Sequence, residues 1–533
     1  MKKIVALLLS ALMLAACLTG CGNTAGNTDD SSNASAGEPS APSQPGNDSA
    51  ASAGKTLNVA LSENLVTLDP HHANNAPGYQ PRNMCFDMLV ESDHEGNYTP
   101  CLAESWDFSE DGTQITFHLR KDVKWHDGTD FTSADVVTTF QRLIDDRTLN
   151  ISSIYWSLLT GVEASDDYTV TITLSESYAP VMNSLSVTAI IQKAQWDAEG
   201  VEAFNRQEFT GTGPWVFDEW VDGQYIHVTK NENYWGGFDS YYDDVYLRIV
   251  LEPSTAIAAH LNGDVQAYIA SSGISSDNLG LYAGSEEKIE MVHINTGTVQ
   301  YFGFQCGEDS VFHDKNVRLA FAHAVDRQSI ADYIFGGEAS VCDSFAVESV
   351  MGYTEDAVSY AYDPDLAKSC LEQSSYNGEP IVLSSNTGTQ KSQESLLAVS
   401  EMLNEVGFNS SVEIVETATL TDMRATGDYD VFVVATMQEN GEPYKYLNQR
   451  ILNDAHHSFF VDEKLNSLIL QSNSEMDAAA RRELLEQCIV LLSEDLVHLP
   501  MVRLASTYAV DFGVQGIGLY QDGLFNFKYV THE

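Results

Sequence analysis

The chain has 533 residues, with 27 Lys and Arg against 77 Asp and Glu, a formal net charge of −50, 43% hydrophobic residues and 10% aromatics. That is an ordinary globular composition, and the length implies about two to four domains or lobes. The acid excess excludes a nucleic-acid-binding role, which needs a basic face, and argues against docking on an anionic membrane through a polybasic patch.

Lys2 and Lys3 precede an apolar run at 4–16. A charged start and a short apolar segment have the shape of an export signal, and the run is too short to span a bilayer comfortably. It leads into Leu14-Ala15-Ala16-Cys17 and Leu18-Thr19-Gly20-Cys21. Both resemble the bacterial lipoprotein pattern, in which a small residue precedes a cysteine that receives a diacylglycerol. Cys21 is the favoured site, because the Gly-Asn-Thr after it looks like the start of a tether. Residues 22–54 hold no Val, Leu, Ile, Met or aromatic residue and only four acids, so 21–55 reads as a lipidated cysteine with a flexible tether. The expected location is outside the cytoplasm, held to the cell membrane by multiple acyl chains. The acidity then belongs to the folded body.

Along that body, alternating apolar residues predict strands at 56–61, 114–120 and 168–174. Between the last two, Thr132 and Asp135 have capping-box spacing ahead of Val136, Val137, Phe140 and Leu143, which predicts a helix. A strand at 245–251 precedes Pro253-Ser254-Thr255 and a helix that Gly263 stops. In the second half, helices at 315–325, 365–373 and 392–406 alternate with strands at 381–384, 412–415 and 431–434. That alternation predicts an α/β lobe with parallel strands. A long helix at 479–493 and strand-like pieces at 508–511 and 526–530 close the chain. Cys85, Cys101, Cys306, Cys342, Cys370 and Cys488 show no zinc or Cys-x-x-Cys spacing, and either disulfides or buried thiols suit an exported protein.

Catalytic signals are missing. There is no Gly-x-Ser-x-Gly elbow, phosphate-binding glycine loop or His-Glu-x-x-His. The pairs His71-His72 and His456-His457 are adjacent, so each is a poor metal clamp and reads as surface or loop histidine. No enzyme activity, metal site or cofactor is expected.

One long pattern stands out: Ala103-Glu104-Ser105-Trp106, Asp111-Gly112, Phe117-His118-Leu119-Arg120, and 123–131 from Val123-Lys124-Trp125 to Phe131, with Ala134-Asp135-Val136. It resembles the signature stretch of the family 5 extracellular solute-binding proteins, receptors of ABC importers for peptides, nickel chelates and other solutes. Gly211-Thr212-Gly213-Pro214-Trp215, Asn231-Glu232-Asn233-Tyr234-Trp235, Asn316-Val317-Arg318-Leu319-Ala320 with Ala324-Val325-Asp326-Arg327, and 362–368 resemble further family motifs in the family's order. Locally, Trp106 and Trp125 read as core aromatics, Gly211-Thr212-Gly213-Pro214 as a turn needing glycine dihedrals, and Arg318 and Asp326 as surface or lobe-stabilising charges.

The resemblance implies an α/β, two-lobed, class II periplasmic-binding-protein-like fold: a first lobe at 56–300 with an inserted β-rich subdomain, a second α/β lobe at 301–505 and a return segment at 506–533. It implies a monomer that closes on a solute, most readily a peptide, and docks on a permease driven by ATPase subunits. Peptide-binding members pair the solute backbone like an added strand. Here those segments fall at Asn74, Asn75 and Ala76, after Leu68-Asp69-Pro70-His71, and at Ala435, Thr436 and Met437. Glu439 falls where such members pair a carboxylate with the peptide ammonium. Nickel-chelate members carry a His near the position of Tyr444, and an Arg and a Trp in the first lobe; Arg147 is present here, with Tyr155 and Trp156 as a stacking surface. A metal-chelate receptor is the alternative, and a surface adhesin or sensor a third reading.

Overall fold

A computed structural model describes residues 55–533 apart from 73–74, 95, 150–155, 388–389, 439–440, 453–457 and 522–523. The signal, Cys17, Cys21, the tether and His456-His457 lie outside the described residues.

The alternating 56–61 segment forms the strand Thr56–Leu61, parallel to Asp244–Ile249 and Ala267–Ile269. The second-half alternation is also as expected: Pro380–Asn386 lies parallel to Asn409–Val415 and Val431–Thr436. Both sets belong to one large mixed sheet. They are joined through Ile289–Phe304 and His498–Asp511, two long antiparallel strands.

Those two strands were illegible as such. Ile289–Phe304 carries Asn295-Thr296-Gly297-Thr298 in its middle, which is turn chemistry. The structure accommodates it as an irregularity in the pairing between Asn295 and Val299. The expected piece at 508–511 is only the end of its partner. On one side of the irregularity, Tyr508 and Val510 join a core with Leu57, Trp215, Phe525 and Phe527. On the other, Val299, Tyr301, Leu499 and Val502 join a core with Phe321, Leu383 and Val431. The two lobes therefore share a pair of crossing strands. Arg503 braces the crossing: its guanidinium donates to Asn295 O (3.1 Å), Thr296 O (2.7 Å) and Gln521 Oε1 (2.9 Å).

A separate four-stranded antiparallel sheet, ordered Ala103–Phe108, Gln114–Leu119, Thr169–Leu174 and Leu159–Asp166, forms the insert. It packs a third core with the helix Ser133–Asp145. At that helix start, Asp135 Oδ2 accepts from Thr132 N–H at 2.9 Å. Trp125 is buried, whereas Trp106 is only half-buried because its strand faces solvent on one side.

Two sequence expectations need correction. Gly211 and Gly213 are not in the left-handed region. They are needed for close approach: a Cβ on Gly211 would lie 1.8 Å from Cys85 O, and one on Gly213 2.4 Å from Met84 O. Of the two readings of Arg318, the surface one is wrong and the stabilising one fits. It is buried, and donates to the carbonyls of Phe312 (2.6 Å), His313 (3.0 Å) and Asp495 (2.9 Å). The six cysteines of the body are free thiols; five are buried and Cys370 is half-buried. Among the described residues, no helix is long and apolar enough to cross a membrane.

Candidate functional site

Asp69-Pro70-His71 leads into the first predicted contact segment. His71 is fully buried, contrary to the surface reading. The turn at Asp69 folds the ring inward, where partners await it. Its Nε2 lies 2.8 Å from Ala189 O and its Nδ1 3.0 Å from Arg142 Nη1. A carbonyl can only accept and a guanidinium only donate, so His71 is the neutral Nε2–H tautomer. Burial, helped by the Arg142 charge, lowers its pKa to about 4. Arg142 also donates to Asp69 Oδ1 (3.0 Å) and Oδ2 (2.5 Å). Burial pushes the Asp69 carboxyl up, but the Arg142 bonds and charge outweigh it and hold it below the usual range.

After this anchor, Asn74 lies outside the described residues. Asn75 caps the helix Ala76–Cys85: its Oδ1 accepts from Gly78 N–H (3.2 Å) and its Nδ2 donates to Asn64 O (2.8 Å). Ala76 is the first helical residue, and both are half-buried. The Asn75 side chain is thus committed to the fold, and its carbonyl accepts from Tyr79 N–H (3.1 Å).

Across the molecule, Ala435 and Thr436 end the strand Val431–Thr436, paired with Gln300 and Val299. Ala435 is exposed; Thr436 and Met437 are half-buried. The next residue, Gln438, is 1% exposed, and neither amide atom has a hydrogen-bond partner. Such orphaned polar atoms are rare in packed cores and call for an explanation. Glu439 lies outside the described residues, as does Tyr155; Trp156 opens a short 3₁₀ turn, Trp156–Leu158. Tyr444 is 4% exposed and belongs to the insert core, which also holds Phe117 and Phe140. The structure does not bring Tyr444 to an open wall.

Sequence reasoning missed a small cavity of about 100 Å³ against the helix Ala76–Cys85, lined by Tyr79, Arg82, Asn83, His94, Tyr520 and Asn526 among others. His94 has a φ of 61°, unusual for a residue with a side chain, and its ring stacks on Tyr520 at 3.5 Å between centroids. Gly297 sits between Gln438 and the chain after Tyr520. A Cβ there would lie 3.4 Å from Gln521 O, next to Tyr520, and 3.7 Å from Gln438 O. Arg82, 7% exposed, was findable as a base on an apolar helix with no acid three or four residues away.

Asp87, Glu91 and Cys101 stand close enough to hold a metal ion. The Lys528 ammonium already fills that role, 2.7 Å from Asp87 Oδ1 and paired with Glu91. Burial alone opposes its charge, but these carboxylates outweigh it and hold its pKa well above the usual value.

Comparison with known proteins decides the family. The model for the middle region of the bacterial extracellular solute-binding proteins, family 5, matches residues 97–455. The chain belongs to that family. As a family 5 protein it is a non-catalytic solute-binding receptor of an ABC importer, acting outside the cytoplasm. It is 25% identical over 444 residues to the oligopeptide-binding protein AppA of Bacillus subtilis, covering 78% of this chain and 79% of that one. It is 25% identical over 438 residues to heme-binding protein A of Haemophilus influenzae, covering 76% and 78%. Among solved structures, HbpA2 from Haemophilus parasuis matches with a TM-score of 0.82 at 22% identity, covering 90% of this family 5 chain and 100% of that one.

Proposed function

We propose that this receptor captures peptides between its lobes and hands them to the permease and ATPase subunits of a peptide importer, while lipid on Cys21 holds it to the membrane. The observation that carries the reading is Gln438. Its buried amide has hydrogen-bonding capacity left over, at the end of a strand whose backbone a bound peptide can extend. Asn74, Asn75 and Ala76 would face it with backbone groups from the first lobe, and Glu439 would hold the peptide ammonium. The lobes in this reading are 56–300 and 301–505, with 506–533 returning to the first. The crossing at 295–299 serves as the hinge.

Calorimetry with trialanine and its N-acetylated form tests the reading. Glu439→Gln is expected to weaken free-amine trialanine by roughly 2–5 kcal/mol, the scale for truncating one partner of a buried charge pair. Acetylation is expected to mimic the substitution. Equal affinities across all four combinations contradict the role of Glu439.

A further inference from the structure

Six arginines of the body are buried. Five have their charge answered. Arg142 holds Asp69, Arg327 holds Asp343, Arg481 holds Glu442, Arg503 holds Glu348, and Arg318 sits among three carbonyls. Arg82 is the exception. Its Nε donates to Asn83 Oδ1 at 3.0 Å, and its guanidinium lies 4.5 Å from the centre of the Tyr79 ring. Among the described residues no carboxylate or carbonyl meets its two terminal nitrogens. The one acid on the wall of its cavity, Glu91, is held by Lys528 Nζ and by the Tyr529 hydroxyl at 3.1 Å.

A buried charge without a partner is costly, and packing alone would favour an uncharged side chain here. The guanidinium is a planar fork that matches a carboxylate with two parallel hydrogen bonds. It lines the small cavity against its own helix, where Tyr520 and Asn526 could also receive a solute group. We infer that Arg82 is the anchor for a carboxylate of the solute, so that the receptor selects anionic groups at this end of its site. For a peptide that group is the terminal carboxylate or an acidic side chain. This detail rests on the reading of the cavity as part of the solute site.

The test compares wild type, Arg82→Gln and Arg82→Lys, each stripped of retained solute by reversible unfolding. Thermal shift and calorimetry are run with trialanine, its C-terminal amide, glutarate and inorganic phosphate. Wild type is expected to bind trialanine at least tenfold tighter than the amide. Arg82→Gln is expected to lose that discrimination and Arg82→Lys to keep part of it. Without solute, Arg82→Gln is expected to melt no lower than wild type, because only an unanswered charge is removed. Glutarate binding that depends on Arg82, with no effect of either peptide, supports the anchor and contradicts the peptide reading. Equal binding of acid and amide, a response to phosphate alone, no response to any probe, or a lower solute-free melting point in Arg82→Gln each overturns the anchor.

Discussion

Arg481 grips Glu442 through two parallel bonds, Nη1 to Oε1 at 2.6 Å and Nη2 to Oε2 at 2.7 Å. Both side chains are almost fully buried, and Arg481 Nε donates to Ser472 O (3.0 Å). The pair fixes the chain just after Glu439. The neighbouring Tyr98 and Tyr178 belong to the insert side; burial, and then the Glu442 charge, pushes both hydroxyl pKa values up. The Arg481–Glu442 ion pair is therefore covered by tyrosines of the insert core. Removing one member strands the other charge, which costs about 3–5 kcal/mol. Glu442→Ala is expected to lower unfolding stability in urea on that scale. The double variant Glu442→Leu, Arg481→Met is expected to recover most of it. A loss below about 1 kcal/mol in the single variant contradicts the assignment.

The His71 environment predicts an acid-sensitive limb. The imidazole has an ordinary pKa of 6.5 in the unfolded chain and about 4 when folded. Between those values the unfolded chain binds the extra proton, so stability is full above about pH 6.5 and falls as pH drops toward 4. The total is roughly 3 kcal/mol for a shift of this size. Asp69 adds a loss at lower pH, because its depressed carboxyl contributes above its ordinary value and stops contributing once protonated. Urea titrations from pH 7.5 to 4 are expected to show the limb in wild type and a flatter curve in His71→Gln. Superimposable pH slopes for the two proteins contradict it.

Gly211 is a steric prediction. The Gly211 backbone accepts from His126 N–H (2.8 Å), and a Cβ there would run into Cys85 O. Nothing flexible can yield, since the obstacle is backbone at the end of the helix that carries Arg82. Gly211→Ala is expected to cost about 3 kcal/mol or more, the upper range for overpacking a core. A melting temperature within a degree or two of wild type contradicts the close approach.

Local pattern carried much of the fold into the sequence. The strand at 114–119 alternates cleanly because one face is core and the other is solvent. The helix after Thr132 announces itself through Asp135. What stayed hidden depends on distant partners. His71 looks like a loop residue until Arg142, 71 residues on, supplies the donor for its ring. Gly211 looks like a turn glycine until the helix end at Cys85 is brought against it. The crossing strand Ile289–Phe304 hides behind Asn295-Thr296-Gly297-Thr298, which local rules read as a break. At the site, the motif order suggested the contact segments, and the structure added a cavity lined by Tyr79, Arg82 and Tyr520. Arg82 was passed over in the sequence, because its burial is a property of the packed molecule.

Native mass spectrometry of the purified protein, before and after stripping by reversible unfolding, addresses the central claim most directly. The account predicts a one-to-one mass increment of a short peptide as purified, lost on stripping and restored by adding free-amine peptides. An increment belonging to a metal chelate or heme, or no increment with any peptide of a mixed panel, contradicts it.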